Sequence, residues 1–262
     1  MPIVIKNNKN IKIKKKQKKK IIMHNNSIFK KTNYNKNIEN IKYYLLKKCS
    51  VEDLNYKCIF FDNASNMFYN IINDIIYSHT HIKHNKPLIV VDASINTKYL
   101  HILNKFAISN KISIELIFSN CQGIITSEII TKVINKNNNI CFVVMSYINK
   151  DTGSINNIQE IGSIIRKKNI PLICDCDNIF GFLNINIVSS CIDIMIVDLY
   201  NITKGQSSFA IFNKDIINNS YLNGPQFYNK NYDALYPTII KYYEIIKNYY
   251  NGRKKKKYYY IE

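Results

Sequence analysis

The chain has no Trp, two Arg (Arg166 and Arg253), seven Gly and five Pro among 262 residues. So little Gly and Pro excludes a collagen-like or Pro/Gly-rich low-complexity protein. No apolar run reaches 18 residues, which argues against a helical membrane span. The seven Cys (49, 58, 121, 141, 174, 176 and 191) are odd in number, and their spacing suits no disulfide framework. Cys174 and Cys176 would share a strand face, but no second Cys or His pair accompanies them at zinc spacing, so no metal site is expected. Acid is absent from residues 1–38. Scarce Arg beside abundant Asn, Lys and Ile is the mark of AT-rich coding, so a single Lys or Asn carries little information.

What is present is core. Apolar residues make up 46% of the chain, enough to bury a sizeable interior. Cys58, Cys141 and Cys174 lie inside apolar runs and read as core thiols. The formal charge is +19, but the twelve Lys of 1–38 and the five cations of Arg253–Lys257, less Glu262, leave only +3 for residues 39–252. A uniformly basic groove in the folded body is therefore not implied. The basic ends would bind RNA or anionic surfaces without sequence preference. Residues 1–38 read as a basic tail or a transit segment, and 251–262 as a second basic tail. The first segment has no apolar stretch of the secretory kind. An organellar location, mitochondrion or plastid, is the expectation if it is a transit segment; otherwise the chain is expected to be cytoplasmic.

Residues 39–250 read as one α/β domain. Strands are predicted at Lys57–Asp62, Pro87–Asp92, Ile112–Phe118, Ile140–Ser146, Pro171–Asp175, Asp193–Asp198 and Ser208–Phe212. Helices are predicted at Ile41–Lys48, 65–76, 94–108, Ser127–Asn135, Ile158–Lys168 and Ala234–Tyr250. Strands alternating with helices predict a mostly parallel central sheet flanked by helices. Unbroken apolar strands agree, because such strands are covered on both faces. His79, His81 and His84, with Lys83 and Lys86 beside them, are expected in a solvated loop. In such a sheet the ligand crevice lies beyond the carboxyl ends of the strands. Asp62, Asp92, Ser146, Asp175 and Asp198 fall there. From the residues alone, Asp175 either holds a pyridinium nitrogen protonated or caps the following turn.

The most telling stretch is Ile140–Phe212. CDCDN (174–178) matches the pattern V-D-A-x-Q, and NKDTGSINNI (149–158) matches N-N-E-x-G-x-x-x-x-I, with Asp151 for Glu, Lys150 for the second Asn and Gly153 kept. FFDNASN (60–66) is similar to F-T-S-G-A-T-E, and DIMIVDLYNITKGQSSFAIF (193–212) lies on a strand, an S-x-H-K loop and a returning strand. These motifs resemble those of cysteine desulfurases, fold-type I pyridoxal-phosphate enzymes of the class V aminotransferase group. The resemblance implies that cofactor, with Asp175 as partner of the pyridinium nitrogen and Asn178 at the ring-oxygen contact. It implies Ser65 and Asp198 at phosphate contacts, Asn96 at the ring-stacking position, Tyr200 at the loop His and Asn201 at the imine lysine. Asn forms no imine, and Asp198 replaces a hydroxyl.

LNGPQFYNKNYDALYP (222–237) is similar to the segment that carries the substrate-carboxylate Arg, and Asn231 falls near it. No Cys follows Asn201, where the family places its persulfide-accepting Cys. The expectation is a degenerate desulfurase relative acting as an interaction subunit, a homodimer or a heterodimer with a cysteine desulfurase, beside iron–sulfur assembly proteins. Two alternatives stay open. One is an active pyridoxal-phosphate enzyme using Lys204, or a truncated gene model of one, passing sulfur from cysteine to cluster assembly. The other is an RNA- or ribosome-associated basic protein on the same fold.

Overall fold

The structure is a computed structural model. It describes residues 37–51, 55–83, 86–203, 207–216, 239–241 and 243–248, without the side chains of 81–83. Packing divides the chain between Ile41 and Lys42. Of the first unit only helical residues 37–41 are described, and the second carries the sheet.

Seven strands form one sheet: β1 (Tyr56–Phe61), β2 (Leu88–Asp92), β3 (Ser113–Ile117), β4 (Ile140–Ser146), β5 (Leu172–Asp175), β6 (Ile194–Asp198) and β7 (Ser208–Asn213). Their spatial order is β1-β7-β6-β5-β4-β2-β3. The run from β6 to β3 is parallel, and β7 is antiparallel to both β6 and β1. The mostly parallel sheet read from the sequence is what forms. All seven residues of β4 (ICFVVMS) and all six of β7 are buried, as strands covered on both faces are.

The helices are α1 (Ala64–Lys83), α2 (Thr97–Ile108), α3 (Ser127–Lys136), α4 (Ile158–Lys167) and the short α5 (Tyr200–Thr203) and α6 (Lys214–Ile216). Helices α1 and α2 pack on one face, over Ile59, Phe142, Val144, Ile173, Ile196 and Ala210. Each such side chain contributes roughly 1.5–3 kcal/mol by leaving water. Helices α3 and α4 pack on each other and touch β3 and β5. Their starts are capped locally. Thr126 accepts from the Ile129 N–H at 3.4 Å. Asn157 accepts from the Glu160 N–H at 3.3 Å and donates to Glu160 Oε2 at 3.0 Å.

One expectation fails. Helix α1 does not stop at residue 76 but runs to Lys83, and His79 is a buried helical residue, not part of a solvated loop. Ile72, Ile75, Ile76 and His79 continue the helical spacing of the buried face, so tertiary cover overrides the polar look of SHTH. His84 and residues 234–238 of the expected last helix lie outside the described residues; 239–241 and 243–248 are helical.

Candidate functional site at the carboxyl edge of the sheet

Side chains alternate across a strand, so the residues two beyond Val144, Ile173 and Ile196 lie on the same face as they do. These are Ser146, Asp175 and Asp198. Strand β7 runs the other way, so its first residue, Ser208, reaches the same edge and is the register partner of Asp198. Helix α2 begins there too. Its N-cap, Asn96, accepts from the Lys98 N–H at 3.2 Å, so the carboxamide at the expected ring-stacking position caps a helix.

Four residues that the sequence does not group meet at this edge. Lys98 Nζ lies 2.8 Å from Asp177 Oδ2 and 2.6 Å from Asp198 Oδ2. It also sits 4.7 Å from the ring centre of Tyr99, whose hydroxyl donates to Asp177 at 3.1 Å and 3.2 Å. Asp177 Oδ1 accepts from the Asp198 N–H at 2.6 Å, and the Asp177 N–H donates to Asp175 Oδ1 at 2.9 Å. Asp198 Oδ1 accepts from the Tyr200 N–H at 2.9 Å. Backbone N–H groups thus tie Asp175 to Asp177 and Asp177 to Asp198, and one ammonium bridges Asp177 and Asp198.

The electrostatics follow from burial. Desolvation, then the charge of Asp177, holds the Asp175 carboxyl well above its ordinary 3.8. Desolvation also raises Asp177, against the opposing pull of Lys98. For Lys98, burial favours the neutral amine, but Asp177 and Asp198 outweigh it, and the ammonium is held above its usual 10.5. Tyr99 is pushed well above 10.0 by burial and by the surrounding carboxylates. Lys98 is therefore a cation at neutral pH, not a nucleophilic amine.

The other expected positions are less converged. Asn201, on α5, donates from Nδ2 to Asn178 Oδ1 at 3.3 Å, and both are exposed. Tyr200 is exposed, as is Ser65 at the start of α1. Asp62 is exposed and accepts from Asn63 and Asn66. Lys204 and Asn231 lie outside the described residues. Asp92 is fully buried and accepts from the Ser94 N–H and hydroxyl, both at 2.7 Å, and from the Ser146 N–H at 3.1 Å. It joins the ends of β2 and β4. The 149–158 loop is pinned beside it: Asn149 donates to the Gly123 carbonyl at 2.9 Å, and Asn156 donates to the Ser146 carbonyl at 2.9 Å. Gly153 there has φ +76°, a conformation that favours glycine. Among the described residues no three His, Cys, Asp or Glu side chains gather to hold a metal, and no helix is long and apolar enough to cross a membrane.

A parallel sheet closed by an antiparallel β7, with Asp175 buried at its carboxyl edge, is the frame that the motifs call for. The family model for aminotransferase class-V matches residues 22–198. The chain belongs to the aminotransferase class-V family. Its fold is that of NifS-like cysteine desulfurases. It is similar to SspA in complex with cysteine (TM-score 0.70, 15% identity, covering 84% of this chain and 62% of that one). It is similar to a NifS-like protein from Rickettsia africae ESF-5 (TM-score 0.63, 18% identity, 87% and 65%). It is also similar to the apo cysteine desulfurase from Thermococcus onnurineus NA1 (TM-score 0.67, 13% identity, 85% and 59%). The chain therefore spans less than two thirds of the length of these proteins. No curated protein sequence matches it significantly.

Proposed function

We propose that this class-V aminotransferase relative is a cysteine desulfurase-like protein without imine chemistry, acting as a non-catalytic subunit. Its partners would be a second copy or a cysteine desulfurase, in the service of iron–sulfur cluster assembly. The observation that carries this reading is Asn201. The motif aligns it with the imine lysine, and its carboxamide is hydrogen-bonded to Asn178. A carboxamide nitrogen has no basic lone pair and cannot condense with an aldehyde.

The donor set present does not fit pyridoxal phosphate. The group supplies an electron sink when it is bound through an imine and a phosphate cradle. Asp175 offers a carboxyl where the motif has the ring nitrogen's partner, so the misfit lies at Asn201 and Asp198. Asp198 presents a carboxylate where the motif has a hydroxyl. At about 4 Å a carboxylate repels each unit of phosphate charge by roughly 4 kcal/mol at an effective dielectric of ~20. The nearest cation, Lys98, is already shared between Asp177 and Asp198.

A cysteine-dependent sulfide-release assay with added pyridoxal phosphate tests the reading. The expected rate is that of the protein-free blank. Sustained turnover in a clean preparation contradicts it. Mixing with a purified cysteine desulfurase followed by size-exclusion chromatography tests the subunit role, which expects co-elution in a fixed ratio; separate elution argues against a desulfurase partner.

A further inference from the structure

The carboxyl edge of the sheet has a resident cation. Asp177 and Asp198 lie 79 and 100 residues from Lys98 along the chain, yet both place a carboxylate oxygen within 2.8 Å of its Nζ. The Asp177 side chain is only 2% exposed and that of Lys98 25%. This is a built, mostly buried contact, unlike the exposed pair Lys136–Glu115, whose lysine side chain is 69% exposed. Tyr99 adds an aromatic face under the ammonium, and aromatic faces attract cations. The Ser208 hydroxyl, fully buried and without a hydrogen-bond partner, lies on the same face of the sheet as its register partner Asp198. It is an unspent oxygen acceptor at the same edge. Asp177 and Asp198 outnumber the one ammonium, so the edge favours cations even when Asp175 is neutral.

We propose that this edge is a primary-ammonium seat whose resident occupant is the side chain of Lys98, a tethered cation where an enzyme of this fold would hold a ligand. The proposal rests on the reading that no anionic cofactor sits there. It goes further by naming what the edge takes instead. The Lys98 tether closes the ends of β5 and β6 against the start of α2 without any bound molecule.

Chemical rescue tests this. Lys98→Ala leaves two carboxylates and an aromatic face around a vacated stem, and breaking a buried pair in this way is expected to lower Tm on the order of 10 °C. n-Propylammonium chloride should restore a large part of that loss in a saturable way, because it binds only the folded state. Sodium chloride at equal ionic strength and n-propanol should not, and the wild-type Tm should not move. Equal rescue by propanol, or a Lys98→Ala variant that melts with the wild type, overturns the seat. If Lys98→Ala does not fold, side-chain ¹⁵N NMR of the wild type decides. Slowly exchanging Lys98 ammonium protons that speed up in Asp198→Asn support the seat, and exchange as fast as that of surface lysines overturns it. An imine on another lysine would sink the non-catalytic reading and, with it, the premise that no anionic cofactor sits at this edge. Failed rescue with no imine sinks only the seat.

Discussion

Asn201 and Asn178, from two different strand ends, meet side chain to side chain, with Nδ2 of the first donating to Oδ1 of the second at 3.3 Å. The two positions that the motif assigns to the imine amine and the ring-oxygen contact thus satisfy one another. Beside them Lys98 does the same for Asp177 and Asp198.

Restoring the amine alone should not restore cofactor chemistry. Asn201→Lys keeps the Asp198 carboxylate where the motif has a phosphate-binding hydroxyl. Asn201→Lys combined with Asp198→Ser removes that repulsion, roughly 4 kcal/mol or a factor of about 10³ in affinity. The double variant is expected to give a borohydride-reducible adduct at position 201 at pyridoxal phosphate concentrations where the single variant gives none. Equal labelling of the two would show that Asp198 does not oppose the phosphate.

The buried carboxylates set a pH dependence. The native Asp175 pKa is raised well above 3.8, by burial first and by Asp177 second, while Lys98 and the Asp177 N–H oppose; Asp177 is raised too. Asp198 and the neutral Tyr99 hydroxyl complete the polar surroundings. Above 3.8 the native state holds protons that the unfolded chain has released, so stability falls as pH rises. The contribution is full below the unfolded pKa and lost by the raised native one, at up to about 1.4 kcal/mol per pH unit per group. Urea midpoints measured from pH 4 upward should decline in the wild type and decline less steeply in Asp175→Asn, because Asp177, Asp92 and Asp193 are raised by burial as well. Parallel curves would place the proton elsewhere. Asp175→Ala is expected to leave the fold intact.

Gly162 of α4 packs against the backbone of the next connection. A Cβ there would lie 2.1 Å from the Ser190 carbonyl oxygen and 3.3 Å from Cys191 Cβ. Gly→Ala inside a helix ordinarily gains about 1 kcal/mol. Here the clash is with backbone, which cannot swing aside, and overpacking costs of about 1–3 kcal/mol or more win. Gly162→Ala should lower Tm by several degrees. An unchanged or raised Tm would mean that α4 does not approach Ser190 this closely.

The strands were legible because their signal is local. ICFVVMS reads as a doubly covered strand from its composition, and Asp175 reads as a strand end because an apolar run stops there. The roles of Asp175, Asn178, Asp198 and Asn201 are what the resemblance implies, read from motifs that lie within short local windows. Lys98 and Asp177 could not. Asp177 stands at the variable position of V-D-A-x-Q, and its partner is 79 residues away, so only the topology of β5, β6 and α2 brings them together. The end of α1 was missed for a similar reason. His79 looks polar in sequence and is buried by packing that no local window contains. The four-residue α5 that carries Asn201 is shorter than any periodic pattern can reveal.

The central claim is the absence of imine chemistry. The direct test is a visible absorbance scan of the purified protein mixed with pyridoxal phosphate, then borohydride reduction and peptide mass analysis. The account predicts no protonated-imine band and no site-specific adduct. A stoichiometric band with the adduct on Lys204, Lys98 or any other single lysine would contradict it.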